Sequence, residues 1–281
     1  MSFSAKTAGL SWKARNEGRF LRVKELMDEK HPFIHADELA TKARAIIRQY
    51  GLRILPVTDE NRKLLGKVSR RDIMAVSSSV SPIRVRGIMT QPKYVTTVED
   101  EVVSTIRDML RVDAWHAPVV NSPTEKTYTG VFGLEGFIEF SIKTSPEKLA
   151  REVSEIMTKN VLACSPDDEI DNVWRLMFEK RLAGLPVVKN GKIVGIVTQK
   201  DLIERGVTMP TFESVKGRFR SSSKISMVMN TNVITVNPPV KAIQVAKVMI
   251  SKDIGRVPVK DENGKLIGIV DREDIVRLLV K

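Results

Sequence analysis

Two apolar rhythms alternate along the chain. Short runs rich in β-branched residues, such as Val233-Ile234-Thr235-Val236 and Tyr94-Val95-Thr96-Thr97-Val98, are bounded by turn residues and predict strands. They lead into stretches with apolar residues three and four apart, Ile243, Ala246, Met249 and Ile250 late in the chain and Val173, Leu176 and Met177 in its middle, which is the spacing of a helix with one buried face. A second strand follows, carrying Leu185-Pro186-Val187 or Val257-Pro258-Val259, and runs into Asn190-Gly191 or Asn263-Gly264, residues that tolerate the positive φ of a tight hairpin. The returning runs, Ile193-Val194-Gly195-Ile196-Val197 and Leu266-Ile267-Gly268-Ile269-Val270, are apolar enough to predict strands buried on both faces. A second helix closes the unit.

This order, strand, helix, strand, strand, helix, occurs four times. Apolar-Met pairs ending at Met27, Met89, Met157 and Met229 open the copies, and each Met is followed 29 residues later by a proline: Pro56, Pro118, Pro186 and Pro258. Four equal spacings mark one duplicated unit. The expected class is α/β, with β-α-β-β-α copies over 23–76, 85–140, 153–204 and 225–281, a basic arm over 1–22 and a basic linker over 205–224. A unit of about 55 residues is too small to bury a stable core by itself, so copies are expected to pair. Linker-like sequence around 77–82 and 206–223 predicts copy one with two and copy three with four.

Composition adds little to that picture and charge adds more. At 42% hydrophobic and 28% charged residues the chain reads as globular, and no apolar run suggests a membrane span or a signal peptide. The single cysteine, Cys164, excludes an internal disulfide and fits a cytoplasmic protein. Most of the net charge of +12 sits in two segments: residues 1–24 carry Lys6, Lys13, Arg15, Arg19, Arg22 and Lys24 against Glu17, and residues 205–224 carry Arg205, Lys216, Arg218, Arg220 and Lys224 against Glu213. Phe212 and Phe219 interleave with the second set, a composition compatible with base stacking and phosphate contact, so nucleic-acid binding is the rival reading of function.

No catalytic or metal-binding set emerges. His31, His35 and His116 lack metal-ligand spacing, no Gly-x-x-x-x-Gly-Lys loop is present, and Cys164 reads as a small core residue, so the chain is expected to be no enzyme and to need no cofactor. His116, just before Pro118, reads as a satisfied or surface histidine. The informative positions lie three and six residues beyond the glycine of each returning strand: Ser69 and Asp72, Gly133 and Gly136, Thr198 and Asp201, Asp271 and Asp274. An oxygen-bearing side chain followed three residues on by an acid is a helix-start signature, which caps backbone amides and suits the helix dipole. Capping does not exclude a second role for the acid.

With those residues in place the chain resembles the cystathionine-β-synthase (CBS) domain family, whose tandem units pair into disc-shaped modules. In that family a Gly-apolar-apolar-Ser/Thr-x-x-Asp run, as in Gly195-Ile196-Val197-Thr198-Gln199-Lys200-Asp201, is the nucleotide signature. The resemblance implies that Ser69, Asp72, Thr198, Asp201, Asp271 and Asp274 face the ribose of an adenine nucleotide or S-adenosyl compound, the carboxylate accepting from vicinal hydroxyls. It places the purine between the first strand and the Pro-Val strand, in copy four Ile234, Thr235, Val257 and Pro258, and it makes Arg53 and Arg256 the candidate phosphate ligands. Copies one and three keep the signature, copy two lacks it, and copy four has Asp271 in place of the hydroxyl, which disfavours a polyphosphate. The implied partners are an adenosine-bearing metabolite, an unidentified regulated protein and a second copy that completes the disc, although two modules in one chain already suffice for one.

Overall fold

The computed structural model describes residues 20–74, 76, 81–205 and 223–281. The basic arm up to residue 19 and residues 206–222 of the basic linker, including Phe212, Lys216, Arg218, Phe219 and Arg220, lie outside the described residues, and with them the core of the nucleic-acid reading. Among the described residues no helix is long and apolar enough to cross a membrane.

Copy one comprises β1 (Ile34–His35), α1 (Ala40–Tyr50), β2 (Ile54–Thr58), β3 (Leu64–Ser69) and α2 (Arg70–Ile73). Copy two comprises β4 (Thr96–Thr97), α3 (Val102–Arg111), β5 (His116–Val120), β6 (Tyr128–Gly133) and α4 (Leu134–Thr144). Copy three opens with α5 (Val153–Ile156) and continues with α6 (Ile170–Glu179), β7 (Gly184–Lys189), β8 (Lys192–Thr198) and α7 (Gln199–Glu204). Copy four holds α8 (Ala242–Ser251), β9 (Arg256–Lys260), β10 (Leu266–Asp271) and α9 (Arg272–Leu279). Within each copy the Pro-Val strand pairs antiparallel with the returning strand, and in copies one and two the first strand adds in parallel on the other side.

Each copy's first helix ends in a residue with positive φ, at Gly51 (63°), Asp113 (52°), Arg181 (55°) and Asp253 (47°). This left-handed position turns the chain from the helix into the Pro-Val strand; three copies adopt it without glycine. The hairpin of copy three closes through Asn190 and Gly191, both at positive φ, as the sequence predicts. In copy four only Gly264 is left-handed, and Asp261 shapes a longer turn by accepting from Asn263 and Lys265. The first strand expected at 233–236 shrinks to one bridge, Val236 with Val259. The chain just beyond it turns away, since the carbonyls of Pro238 and Val240 accept amides from Ser154 and Val153 of the paired copy.

The expected pairing is present, and its mechanism explains the repeated Met and Gly. The residue after each Met bridges the residue after the glycine of the paired copy: Asp28 with Val131, Lys67 with Thr90, Thr158 with Ile269 and Ile196 with Asn230. Copies therefore exchange their leading segments within 1·2 and within 3·4. A Cβ on Gly195 would stand 2.8 Å from the Met229 sulfur and one on Gly66 would stand 3.3 Å from that of Met89, so the glycines make room for the partner's methionine.

The two modules then join through their helices. Copies two and four share one core, with Ile106, Met109 and Ile138 packed with Val245, Met249 and Ile275; copies one and three share the other, with Ile47 and Ile73 packed with Val173, Met177 and Leu202. Each such side chain contributes roughly 1.5–3 kcal/mol on burial, so the helical seams close the disc within one chain. The returning strands differ from expectation. Their burial alternates, Val197 and Val270 facing the helices while Ile196 and Ile269 stay half-buried, because the second face lines the crevice between paired copies.

Candidate functional site

The crevice-facing ends of the four copies differ in what each N-cap presents. In copy three the amide of Thr198 donates to Asp201 Oδ2 at 2.8 Å and its hydroxyl donates to the same oxygen at 2.5 Å, while the Asp201 amide returns a bond to Thr198 Oγ1 at 3.2 Å. The capping box is complete, and it uses one carboxylate oxygen. Asp201 Oδ1 has no hydrogen-bond partner among the described residues. The same division holds in copy one, where Asp72 Oδ2 accepts from the Ser69 amide and hydroxyl, each at 2.7 Å, and in copy four, where Asp274 Oδ2 accepts from the Asp271 amide at 2.9 Å. Capping thus uses one carboxylate oxygen of each side chain.

The walls follow from strand register. Pro56, Pro186 and Pro258 stand opposite Lys67, Ile196 and Ile269 on the face turned from the helices. Pro186 and Ile196 give copy three an apolar wall beside Asp201. In copy four, Ile234 and Thr235 stay half-buried next to Val236, whose amide donates to the Pro258 carbonyl at 3.1 Å, so these three residues belong together. Val257 does not join them. It is fully buried in the helix-facing core with Val259 and Val270, since alternate strand residues point to opposite faces, and it is withdrawn from the wall.

Copy one also departs from expectation. Its second signature position is Lys67, where copies two, three and four have Val131, Ile196 and Ile269, and the ammonium lies 3.2 Å from Asp72 Oδ2. The aspartate of this copy is therefore already paired, and the signature of copy one is incomplete. The apolar rhythm of the strand, broken by one lysine, is the signal that reveals it.

Copy two closes its own crevice. Gly133 offers no capping side chain, and the carboxylate of Glu135 folds into the vacated space, within 2.7 Å of where a Cβ on Gly133 would stand. Glu135 Oε1 is 2.8 Å from His116 Nε2, and Glu135 Oε2 lies 3.8 Å from Nη1 of Arg272, a copy-four guanidinium that is 1% exposed. Arg272 Nη2 donates to Asp253 at 3.0 Å, and Arg53 of copy one reaches the same Asp253 oxygen at 3.9 Å. Burial opposes the charge on Glu135, but His116, Arg272 and Arg53 outweigh it and hold the carboxyl well below its usual range. Burial pushes His116 down, so a neutral imidazole donates to an ionised carboxylate. His116 is thus the satisfied histidine expected from the sequence, but Glu135, Arg272 and Asp253 carry no motif and emerge only from the packing.

The two candidate phosphate ligands are both drawn across copy boundaries. Burial, reinforced by the nearby Arg272 charge, lowers Arg53 to about 10, which leaves it cationic in the shared centre. Arg256 Nη1 donates to the carbonyl of Gly184, the copy-three residue paired in register with Thr198. Copy four is left rich in acid: burial raises Asp271, and burial with the neighbouring Asp271 raises Asp274 to about 7.

Comparison with known proteins agrees with this architecture. The family model for the CBS domain matches residues 23–79, 153–207 and 225–281, the three copies that present an oxygen-bearing side chain and an aspartate at the second helix. The uncharacterized protein MJ1225 of Methanocaldococcus jannaschii is 25% identical over 92% of this chain and 99% of its own length. Its crystal structure has a TM-score of 0.79 at 22% identity, covering 92% of this chain and 100% of that one. A conserved protein from Pyrococcus horikoshii shares the fold with a TM-score of 0.63 at 22% identity over 92% of this chain and 100% of that one. The uncharacterized protein MJ1404 of M. jannaschii, 28% identical over 92% of this chain, extends further, the match covering 61% of its length. Since the family model covers more than half of the sequence and the fold is shared along almost all of it, this chain belongs to the CBS domain family.

Proposed function

We propose that this is a regulatory binding protein, not a catalyst, whose crevices take adenosine-bearing metabolites, with the copy-three crevice foremost. One observation carries the reading: Asp201 Oδ2 accepts from the Thr198 amide and hydroxyl, while Oδ1 has no hydrogen-bond partner among the described residues. A buried-edge carboxylate oxygen with no donor of its own suits a vicinal diol, and the apolar strand face formed by Pro186 and Ile196 suits a purine ring. The family resemblance supplies the adenosine identity. Copy one is a weaker site, since Lys67 compensates the charge of Asp72 through the capping oxygen and stands where copies three and four have an apolar wall residue. A ligand seated between paired copies biases their packing by its differential affinity for two arrangements, and an unidentified protein that contacts the disc would read the change.

Titration calorimetry with AMP, ADP, ATP and S-adenosylmethionine tests this on the wild type and on Asp201→Asn, which keeps an oxygen for the Thr198 amide. The expected result is binding of at least one of these compounds, weakened at least about tenfold by the substitution, the size of one lost charge-assisted bond. Equal affinity in the two proteins overturns the assignment of the site.

A further inference from the structure

If adenosine-bearing ligands occupy these crevices, as proposed above, the two crevices of the second module should not accept the same ones. They share the sugar-facing aspartate and differ in the charge beside it. Arg256 begins β9 of copy four, yet its guanidinium donates to the Gly184 carbonyl at the start of β7, beside the Thr198 cap of copy three. Its guanidinium thus lies between the two copies, bonded to the copy-three strand and with Asp271 of copy four as its neighbouring charge. In copy four the capping hydroxyl is replaced by Asp271, whose Oδ1 accepts from the amides of Glu273 at 2.9 Å and Asp274 at 3.2 Å. Asp271 and Asp274 therefore cap each other's ends of one helical turn, with Glu273 between them. Arg272, the cation nearest in sequence, is turned inward to Asp253 and Glu135 and is 1% exposed. A phosphate entering copy four meets this carboxylate pair, whose Asp271 already uses the charge of the facing Arg256, whereas copy three has the neutral Thr198 at the same position.

We propose that the second module sorts adenosyl ligands by charge: the copy-three crevice, with neutral Thr198 at its cap and Arg256 bonded to its strand, takes those bearing phosphate, and the copy-four crevice, walled by Asp271 and Asp274, takes uncharged or cationic ones. Asp271 is the residue that sets the difference. Like charges a few ångströms apart at a half-buried site repel strongly, whereas an uncharged nucleoside presents the same base and diol without that repulsion. The raised pKa of Asp274, about 7 through burial and the neighbouring Asp271, agrees with a site that resists further negative charge.

Adenosine and AMP, which differ only by the phosphate, are the probes, used with full-length protein and calorimetry. In D72N/D201N, which leaves copy four intact, adenosine should bind and AMP should bind at least about tenfold more weakly; adding Asp271→Thr should raise AMP affinity at least about tenfold with little change for adenosine. In D72N/D274N, which leaves copy three, AMP should bind more tightly than adenosine, and Arg256→Gln should abolish that preference. Circular dichroism and thermal melts establish that each variant is folded. AMP binding as tightly as adenosine in D72N/D201N overturns the sorting, as does loss of adenosine binding there while D72N/D274N still binds AMP. Absence of binding by either probe to the wild type overturns the underlying reading of the crevices instead.

Discussion

Copies two and three have one backbone and opposite contents. Both place a second helix at the end of a returning strand, over a glycine that accommodates the paired copy, yet copy three leaves one carboxylate oxygen unpaired among the described residues and copy two pairs the carboxylate it has there with His116. The difference lies in three positions. Where copy three has Thr198, Lys200 and Asp201, copy two has Gly133, Glu135 and Gly136; the missing side chain at 133 opens the room that Glu135 takes. A duplicated unit can thus fill the signature positions with an internal ion pair that reaches the opposite module, since Glu135 belongs to copy two and Arg272 to copy four. The lesson is that a lost signature in a repeat protein need not be decay; the copy can be reassigned to holding the assembly.

The largest effect falls on stability, when the ion pair of copy two is broken. Arg272→Ala removes the buried cation between Glu135 and Asp253 and should cost about 3 kcal/mol in chemical denaturation, as expected when one partner of a buried pair is deleted. Arg277→Ala, which breaks the exposed pair with Glu273, should cost less than about 1 kcal/mol. Equal losses in the two variants would show that copy two's ion pair holds nothing together.

A gain-of-function change comes next. The triple variant G133T/E135A/G136D gives copy two the capping side chain and acid of copy three, and calorimetry with a ligand that binds copy three should show one additional equivalent at an affinity within about tenfold of that site. The Cβ added at 136 would lie 3.1 Å from the Leu26 carbonyl, so the leading segment must give slightly. A folded triple variant with unchanged stoichiometry would mean that backbone placement, not side-chain content, separates the two copies.

The smallest effect is on pH dependence, and its sign differs between copies. In copy four burial raises Asp274 to about 7, so between its unfolded value near 4 and that pH the native state holds the proton more firmly, and stability falls as pH rises through this window. Asp274→Asn should therefore gain on the order of 1 kcal/mol over wild type at pH 8 and little at pH 5, read as the difference in melting curves. In copy two the sign is opposite. Glu135 and His116 are both lowered, so their contribution is present at neutral pH and lost as acid protonates His116 and then the carboxylate. A Glu135→Gln variant with unchanged acid sensitivity would remove that distinction.

Much of the architecture was legible because it is local. The 29-residue Met-to-Pro spacing, the helix rhythms, the hairpin strands and the Asn190-Gly191 turn are written within one copy and appear where the sequence places them, whereas the first strand of copy four shrinks to one bridge. The capping boxes at Ser69, Thr198 and Asp271 were legible for the same reason, since a cap needs only its own four residues. Val257 was misplaced because its motif, Val-Pro-Val, does not say which face is the core; that depends on which side the helices lie. Lys67 went unremarked because a charged residue in a half-buried strand is only informative once Asp72 is seen 3.2 Å away.

The amino-acid sequence alone determined that four like units exist, where each begins, and which of them carry an acid at the second helix, because these are periodic features written within a few tens of residues. Tertiary structure decided which oxygen of Asp201 faces outward, that Glu135 of copy two meets Arg272 of copy four, and that Arg256 leaves its own copy for Gly184 of the next. Those outcomes depend on how separate copies pack, with leading segments exchanged and helices joined across modules, and charges far apart along the chain acquire a meaning only when that packing brings them within a few ångströms.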